Sequence, residues 1–253
     1  MALPIALQLY TVRENLAKDF EGTIRKVADI GYKNVEFAGF YDRKPADIRK
    51  LLDDLGLKAV SAHVGVSDDP KNIAQNVEAA KTIGYDVVVS GLPDGKMRES
   101  AEGYRKAVKV LGKAAAALAK EGLTYAYHNH SFEYDTFGDT TGMNILFEES
   151  NPPLASELDV YWVKHGHADP IDWMKKLTGR VPLLHIKDMD NTAERKFCEV
   201  GTGILDMKAI VKAAPGVGAR YLIVEQDAGW IDGDPLKSVK VSFDNLTKIV
   251  AQA

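Results

Sequence analysis

Short apolar segments alternate with longer amphipathic segments along the whole chain, and this alternation limits the fold more than any other feature. Segments such as IALQLY, NVEFAG and DVVVSG are bounded by turn residues and are typical of strands buried on both faces. The amphipathic segments between them are typical of helices, and several end at a glycine, as helices often do. Roughly eight such strand-helix units fit an α/β fold, the (β/α)8 TIM barrel. We therefore predict a single barrel domain over residues 1–253.

A doubly wound dinucleotide-binding sheet is the main alternative among α/β folds, and the sequence lacks its signature. No G-x-G-x-x-G motif follows the first apolar segment, where that fold binds a pyrophosphate. No linker or low-complexity segment divides the chain. The barrel therefore remains the better prediction.

Four of the apolar segments end at a side chain that binds metals readily. TYAYH ends at His128, LASELD at Asp159, VPLLH at His185 and YLIVE at Glu225. Burying such groups without partners costs roughly several kcal/mol each, and strand ends of a barrel meet at one face. We therefore predict that the four share one divalent metal ion. Two imidazoles and two carboxylates suit Mn, Co, Ni, Fe or Zn better than Ca or Mg.

Further polar side chains stand at or near predicted strand ends, where a barrel has its active site. Because side chains alternate along a strand, Lys187 shares a face with His185, and Glu157 shares a face with Asp159. Lys187 is positioned to hold a substrate oxygen or to stabilise a developing enolate. Each of these groups also has a purely structural interpretation, such as a hydrogen-bonded histidine or a tryptophan packed in the core.

Several motifs, in order along nearly the whole chain, resemble those of the xylose isomerase-like TIM barrels. That family includes sugar and sugar-phosphate isomerases and epimerases, inosose dehydratases and, more remotely, endonuclease IV. The segments ELDVYW, LLHIKD and LIVEQD match the family's metal-binding motifs at Asp159, His185 and Glu225. His128 stands where many members have a metal-binding glutamate, and Trp162 stands where the LDxxH motif has its histidine.

The resemblance implies that the polar strand ends act on a sugar. We predict four catalytic groups and four substrate-binding groups, in that order: Glu157, Glu225, Lys187 and His130; Glu36, His63, Trp162 and Glu199.

Three functions are compatible with these residues. The first is a metal-dependent isomerase or epimerase of a sugar or sugar phosphate, acting through a metal-stabilised enediolate. The second is a lyase of the same family, such as an inosose dehydratase or a 3-keto-glycoside eliminase, in which the enolate expels a leaving group. The third is a non-catalytic barrel that binds a sugar. A phosphodiesterase of the endonuclease IV kind would need more metal ligands than the sequence offers.

Composition narrows the range of partners. The formal net charge of -4 argues against a nucleic-acid partner, because binding phosphates requires clustered Lys and Arg. No apolar segment reaches transmembrane length and no signal peptide is visible, so we expect a cytoplasmic protein without a membrane partner. The single cysteine excludes a Cys-based zinc site. The expected partner is a small sugar or keto sugar, and assembly into a homo-oligomer stays open.

Overall fold

The computed structural model describes residues 2–253, which form a closed barrel of eight parallel strands. The strands follow one another around the barrel in chain order, and Ile5 pairs with Leu222 to close the circle. The strands are β1 (Ile5–Gln8), β2 (Asn34–Ala38), β3 (Lys58–His63), β4 (Val87–Ser90), β5 (Thr124–His128), β6 (Ala155–Asp159), β7 (Leu183–Ile186) and β8 (Tyr221–Val224). The predicted (β/α)8 barrel is therefore confirmed.

Ten α-helices of the described chain surround this barrel. They are α1 (Arg13–Lys18), α2 (Phe20–Ile30), α3 (Pro45–Leu55), α4 (Pro70–Ile83), α5 (Ala101–Lys120), α6 (Gly142–Glu148), α7 (Val160–His165), α8 (Pro170–Lys176), α9 (Met207–Ala213) and α10 (Pro235–Val250). Short 3-10 helices cover Leu9–Val12, Gly95–Glu99, Phe132–Tyr134, Ala214–Val217 and Ile231–Gly233. Two pairs of two-residue strands lie in loops: Thr136–Phe137 with Thr140–Thr141, and Asp188–Met189 with Phe197–Cys198.

Local sequence explains where the helices begin and end. Helices α4 and α10 start with a proline whose preceding residue, Asp69 or Asp234, accepts a hydrogen bond from the first turn. Helices α3 and α4 end at Gly56 and Gly84, which both adopt positive φ angles that favour glycine. These caps keep the loops between helix and strand short.

The interior of the barrel changes from apolar to polar along the strands. Its lower layer is a separate apolar cluster made of Ala6, Val60, Val87, Val89, Ala126, Leu183 and Ile223. Two residues further along the same strands, the inward side chain becomes Gln8, His128, His185 or Glu225. The apolar layer therefore closes the lower end of the barrel, where the strands begin. The polar layer forms the floor of the upper end, where the strands finish. No helix within residues 2–253 is long and apolar enough to cross a membrane.

Candidate metal and catalytic site

The four predicted metal ligands meet at the upper end of the barrel. One ligand atom from each of His128, Asp159, His185 and Glu225 lies within 4.8 Å of the other three. All four side chains are buried. The strand-end pattern in the sequence thus corresponds to one compact group of two imidazoles and two carboxylates.

Asp159 gives the clearest indication that these four residues can bind a cation. Its Oδ1 atom accepts a hydrogen bond from the backbone N–H of Trp162 at 2.9 Å, which caps α7. Its Oδ2 atom accepts no hydrogen bond from residues 2–253, although Nζ of Lys187 lies 3.3 Å away. The side chain of Asn129 fixes the same segment by accepting from the Asp159 backbone N–H at 3.0 Å. A buried carboxylate oxygen without a hydrogen bond is costly, and a divalent ion would satisfy it. The donor set fits a transition metal.

A second layer of charged groups lies directly beneath these ligands. Glu36 accepts hydrogen bonds from Gln8 at 2.6 Å and from Ser61, and its Oε1 lies 2.7 Å from Nε2 of His185. Glu157 contacts His63, and its Oε2 lies 3.0 Å from Nδ1 of His128. Both glutamates are fully buried.

The buried position of Glu36 and Glu157 beneath the predicted metal ligands affects the roles that the sequence predicts for them. Neither Glu36 nor Glu157 lines the cavity next to the predicted metal ligands, and the substrate contact by Glu36 and the proton transfer by Glu157 stay predictions. Their carboxylates instead contact histidines. His63, His128, Glu157 and His185 form a second group whose ligand atoms also lie within 4.8 Å of one another.

Lys187 is a buried ammonium group among three carboxylates. Its Nζ atom lies 2.7 Å from Glu225, 2.9 Å from Asp227 and 3.3 Å from Asp159. Burial alone would lower the pKa of Lys187, but the three carboxylates raise it well above its usual range. Lys187 therefore stays protonated, so it can donate hydrogen bonds but cannot act as a base.

Two other histidines differ in protonation. Burial and the nearby Lys187 lower the pKa of His130 to about 4, and its Nδ1 has no hydrogen-bond partner in the described chain. Burial opposes a charge on His63, but Glu157 and Glu36 raise its pKa to about 10. At neutral pH these shifts favour the neutral form of His130 and the protonated form of His63.

A cavity of about 470 Å³ opens above the metal ligands. Lys187, Glu225, His63, His128 and His130 line it. The lining also includes three strand-end residues to which the sequence assigned no role, Gln8, Tyr10 and Asp227, and two that it did not indicate, Arg13 and Ala38. The Arg13 guanidinium lies 4.2 Å from the centre of the Tyr10 ring and donates to the Asp227 carbonyl at 3.0 Å. Arg13 lies beyond the end of β1, so strand-end reasoning could not identify it.

Trp162 and Glu199, both predicted to bind substrate, lie outside the cavity lining. The Trp162 ring centre is 5.5 Å from that of His130 and 5.6 Å from Nζ of Lys187. The Glu199 carboxylate accepts hydrogen bonds from Ser238 at 2.6 Å and from Gln226 at 3.3 Å. Trp162 therefore lies next to two groups that line the cavity, whereas the partners of Glu199 lie outside the lining. A direct contact of either side chain with substrate stays a prediction.

Glu133 is a further residue at the site that the sequence analysis missed. It is fully buried, and it accepts hydrogen bonds from the Tyr127 hydroxyl at 2.6 Å and from the backbone N–H of His130 at 2.7 Å. It fixes the loop that carries His130. Its position three residues after His130, between Phe132 and Tyr134, is its only signal in the sequence.

The fold and this site together define a class of proteins, the (β/α)8 barrels with a cluster of histidines and carboxylates at the strand ends. The family model described as xylose isomerase-like TIM barrel matches residues 24–248. The chain belongs to that family, as its motifs predicted.

Known relatives and solved structures are similar over nearly the whole chain. The rhizopine catabolism protein MocC of Rhizobium meliloti is 22% identical over 92% of this chain and 82% of its own length. The inosose dehydratase of Erwinia tasmaniensis is 21% identical over 82% of each.

Among solved structures, a sugar phosphate isomerase/epimerase from Parabacteroides distasonis has a TM-score of 0.80 at 25% identity, covering 97% of this chain and 98% of its own. The IolI protein with a bound zinc atom has a TM-score of 0.76 at 16% identity, covering 99% of each chain. An L-ribulose 3-epimerase has a TM-score of 0.73 at 17% identity, covering 100% of this chain and 95% of its own. The likenesses to IolI and to the epimerase show the shared fold.

Proposed function

We propose that this protein is a divalent-metal-dependent isomerase or epimerase that moves a proton on the carbon next to the carbonyl of a keto sugar. One observation carries the proposal: ligand atoms of His128, Asp159, His185 and Glu225 lie within 4.8 Å of one another, and His128 and Glu225 line the adjoining cavity. A divalent ion held there would supply Lewis-acid polarisation of the substrate carbonyl. The names of the similar isomerases and epimerases agree with this reaction class.

The chain's own residues supply the remaining parts of the reaction. His130 lines the cavity, and its lowered pKa favours the neutral imidazole, which can accept a proton. The Lys187 ammonium donates a hydrogen bond to the oxygen on which negative charge develops. Burial would raise the pKa of Glu225, but Lys187 and His185 lower it well below its usual range, so its carboxylate stays ionised.

A lyase is the second candidate, and the pairing of His130 with His63 favours it. An elimination needs a base for the carbon-bound proton and an acid for the departing oxygen. The pKa shifts favour a neutral His130 and a protonated His63 at neutral pH, and both residues line the same cavity. A similar curated protein is an inosose dehydratase, whose reaction is of this type. The non-catalytic sugar-binding barrel remains as the alternative without proton transfer.

Deuterium exchange tests the shared step of both reactions. The protein, loaded in turn with Mn, Co or Zn, is incubated in D2O with L-ribulose, D-fructose and an inosose, and loss of the proton beside the carbonyl is followed by NMR. We expect metal-dependent exchange with at least one ketone. His185→Ala should abolish this exchange, whereas His165→Ala, which removes a histidine outside the cavity lining, should leave it intact.

The same spectra separate the candidate functions. A deuterated isomer or epimer identifies an isomerase or epimerase, and loss of water with formation of an unsaturated ketone identifies a lyase. Absence of exchange with every ketone and metal would contradict both candidates and favour the sugar-binding barrel.

A further inference from the structure

A second cavity of about 610 Å³ adjoins the metal cavity. The two share a wall, because the ring of His63 lines both. The ring centre of His63 lies 4.9 Å from that of the metal ligand His128 and 5.5 Å from that of His185. A molecule that extends past His63 from the predicted metal ligands would enter this second cavity. We call it the β3-β4 groove, because most of its lining follows those two strands.

Three glycines line this groove, and at two of them neither the backbone conformation nor close packing requires a glycine. Gly39, Gly65 and Gly91 follow β2, β3 and β4, and all three line the groove. Gly39 has a φ of +70°, which favours glycine, but neither Gly65 nor Gly91 has a positive φ. A β-carbon at Gly65 would meet no atom of the described chain within 4 Å, and one at Gly91 would meet only the His128 carbonyl at 3.9 Å. Larger residues would fit at both positions, so the groove owes its openness to the absence of side chains.

The loop that forms one wall of the groove is fixed in place. Nδ2 of Asn72 donates to the Gly65 carbonyl at 3.0 Å, and Oδ1 of Asn72 accepts from the Ser67 backbone N–H at 2.9 Å. Asn76 donates to the same Gly65 carbonyl at 3.1 Å. The groove is thus preformed, which reduces the entropic cost of placing a ligand in it.

Apart from His63, the lining of the groove is neutral and of mixed polarity. Its side chains include Ser67, Asn72 and Ser90 with Val64, Val66 and Leu92, and none of its described lining residues is Asp, Glu, Lys or Arg. The one titratable group, His63, already contacts Glu157 and Glu36. A phosphate would find no free cation here, whereas a sugar or aromatic ring presents the matching combination of apolar faces and polar edges.

We propose that the β3-β4 groove is a second substrate subsite that receives a neutral ring joined to the reacting keto sugar, so that the substrate is a glycoside rather than a monosaccharide phosphate. This inference rests on the proposed keto-sugar chemistry for the orientation of the substrate, with the ketone at the metal ligands and the second ring beyond His63.

Paired one-ring and two-ring ketones test the subsite. The metal-loaded protein is assayed by deuterium exchange on 3-keto-D-glucose and on the 3-keto derivative of phenyl β-D-glucoside. The expected kcat/KM is at least tenfold higher for the two-ring ketone. Gly65→Phe, which fills the groove, should bring the ratio of the two kcat/KM values close to one. The smaller Gly65→Leu serves the same purpose if the phenylalanine variant does not fold.

Gly216→Phe is the matched control. Gly216 precedes β8 at the opposite end of the barrel, its φ is not positive, and a β-carbon there would meet no described atom within 4 Å. This variant should keep the wild-type ratio. Equal kcat/KM values for the two ketones in the wild type, or a ratio unchanged by filling the groove, would overturn the subsite.

Saturation-transfer NMR with phenyl β-D-glucoside gives a readout that does not depend on turnover. Saturation of the phenyl protons that is lost in Gly65→Phe supports the subsite even if no ketone exchanges, in which case only the proposed reaction fails. Exchange on 3-keto-D-glucose without any phenyl contact supports the reaction and overturns the subsite.

Discussion

The Nε2 atom of His185 lies 2.7 Å from Oε1 of Glu36, one layer below the cavity floor. On the other side of the same ring, Nδ1 lies 2.9 Å from Oε2 of Glu225 and faces the predicted metal ligands. An Nε2–H donated to Glu36 fixes the tautomer of the imidazole and leaves the Nδ1 lone pair for a metal. Glu36 thus orients His185, a predicted metal ligand, without lining the cavity.

Removing the charge of Glu36 tests this arrangement. Glu36→Gln should weaken metal binding about 10- to 100-fold, because a ligand histidine loses the carboxylate that orients it. Competition with a chelator measures the dissociation constant directly. Glu78→Gln, an exposed position on α4, should bind metal as the wild type does. Unchanged affinity in Glu36→Gln would refute the positioning role.

His128 should set the metal preference of the site. His128→Glu replaces a nitrogen ligand with a carboxylate oxygen, which should shift the ratio of the Mn and Ni dissociation constants about tenfold or more in favour of Mn. Paired metal titrations give this ratio, with His165→Glu as the control for the added charge. The same ratio in His128→Glu and the wild type would show that His128 does not bind the metal.

Lys187 should stabilise the folded protein through its three carboxylates. Lys187→Met leaves Asp159, Glu225 and Asp227 close together without their ammonium partner, and breaking a buried ion pair in this way costs about 3–5 kcal/mol. Urea unfolding of protein from which a chelator has removed any metal measures the loss in the free energy of unfolding. Lys208→Met, at an exposed position on α9, should change it little. A small loss in Lys187→Met would mean that the carboxylates are protonated or hydrated instead.

Glu133 should make stability depend on pH. Burial raises the pKa of Glu133 from 4.5 to about 7, against the hydrogen bonds from Tyr127 and His130. Between pH 4.5 and about pH 7, Glu133 keeps its proton in the folded protein but loses it in the unfolded chain. The stabilisation by the protonated Glu133 is therefore complete below about pH 4.5 and is lost as the pH rises through about 7. The expected loss is about 3 kcal/mol.

Urea unfolding at pH 5 and pH 8 checks this contribution. Glu133→Gln cannot ionise, so its free energy of unfolding should fall less between the two pH values than that of the wild type. Parallel pH profiles for the two proteins would count against a raised pKa at Glu133.

The barrel and the upper ligand group could be predicted because both depend on local periodicity. A strand buried on both faces is apolar throughout, so the polar ends at His128, Asp159, His185 and Glu225 stood out in the sequence. The fold then brings all strand ends to one face, whatever the details of packing. Alternation along the strands likewise placed Lys187 beside His185.

The depth and partners of the remaining groups depend on contacts between residues far apart in the chain, which periodicity does not encode. Glu36 and His185 are separated by 149 positions, and only strand register and tilt place one carboxylate beneath the other ring. The same holds for Glu199, whose partners Gln226 and Ser238 lie on later segments. The β3-β4 groove exists because glycines that follow three neighbouring strands converge beside His63. The sequence by itself thus determined the barrel and which strands carry ligands, whereas the tertiary structure decided which groups reach the cavity and which support them from below.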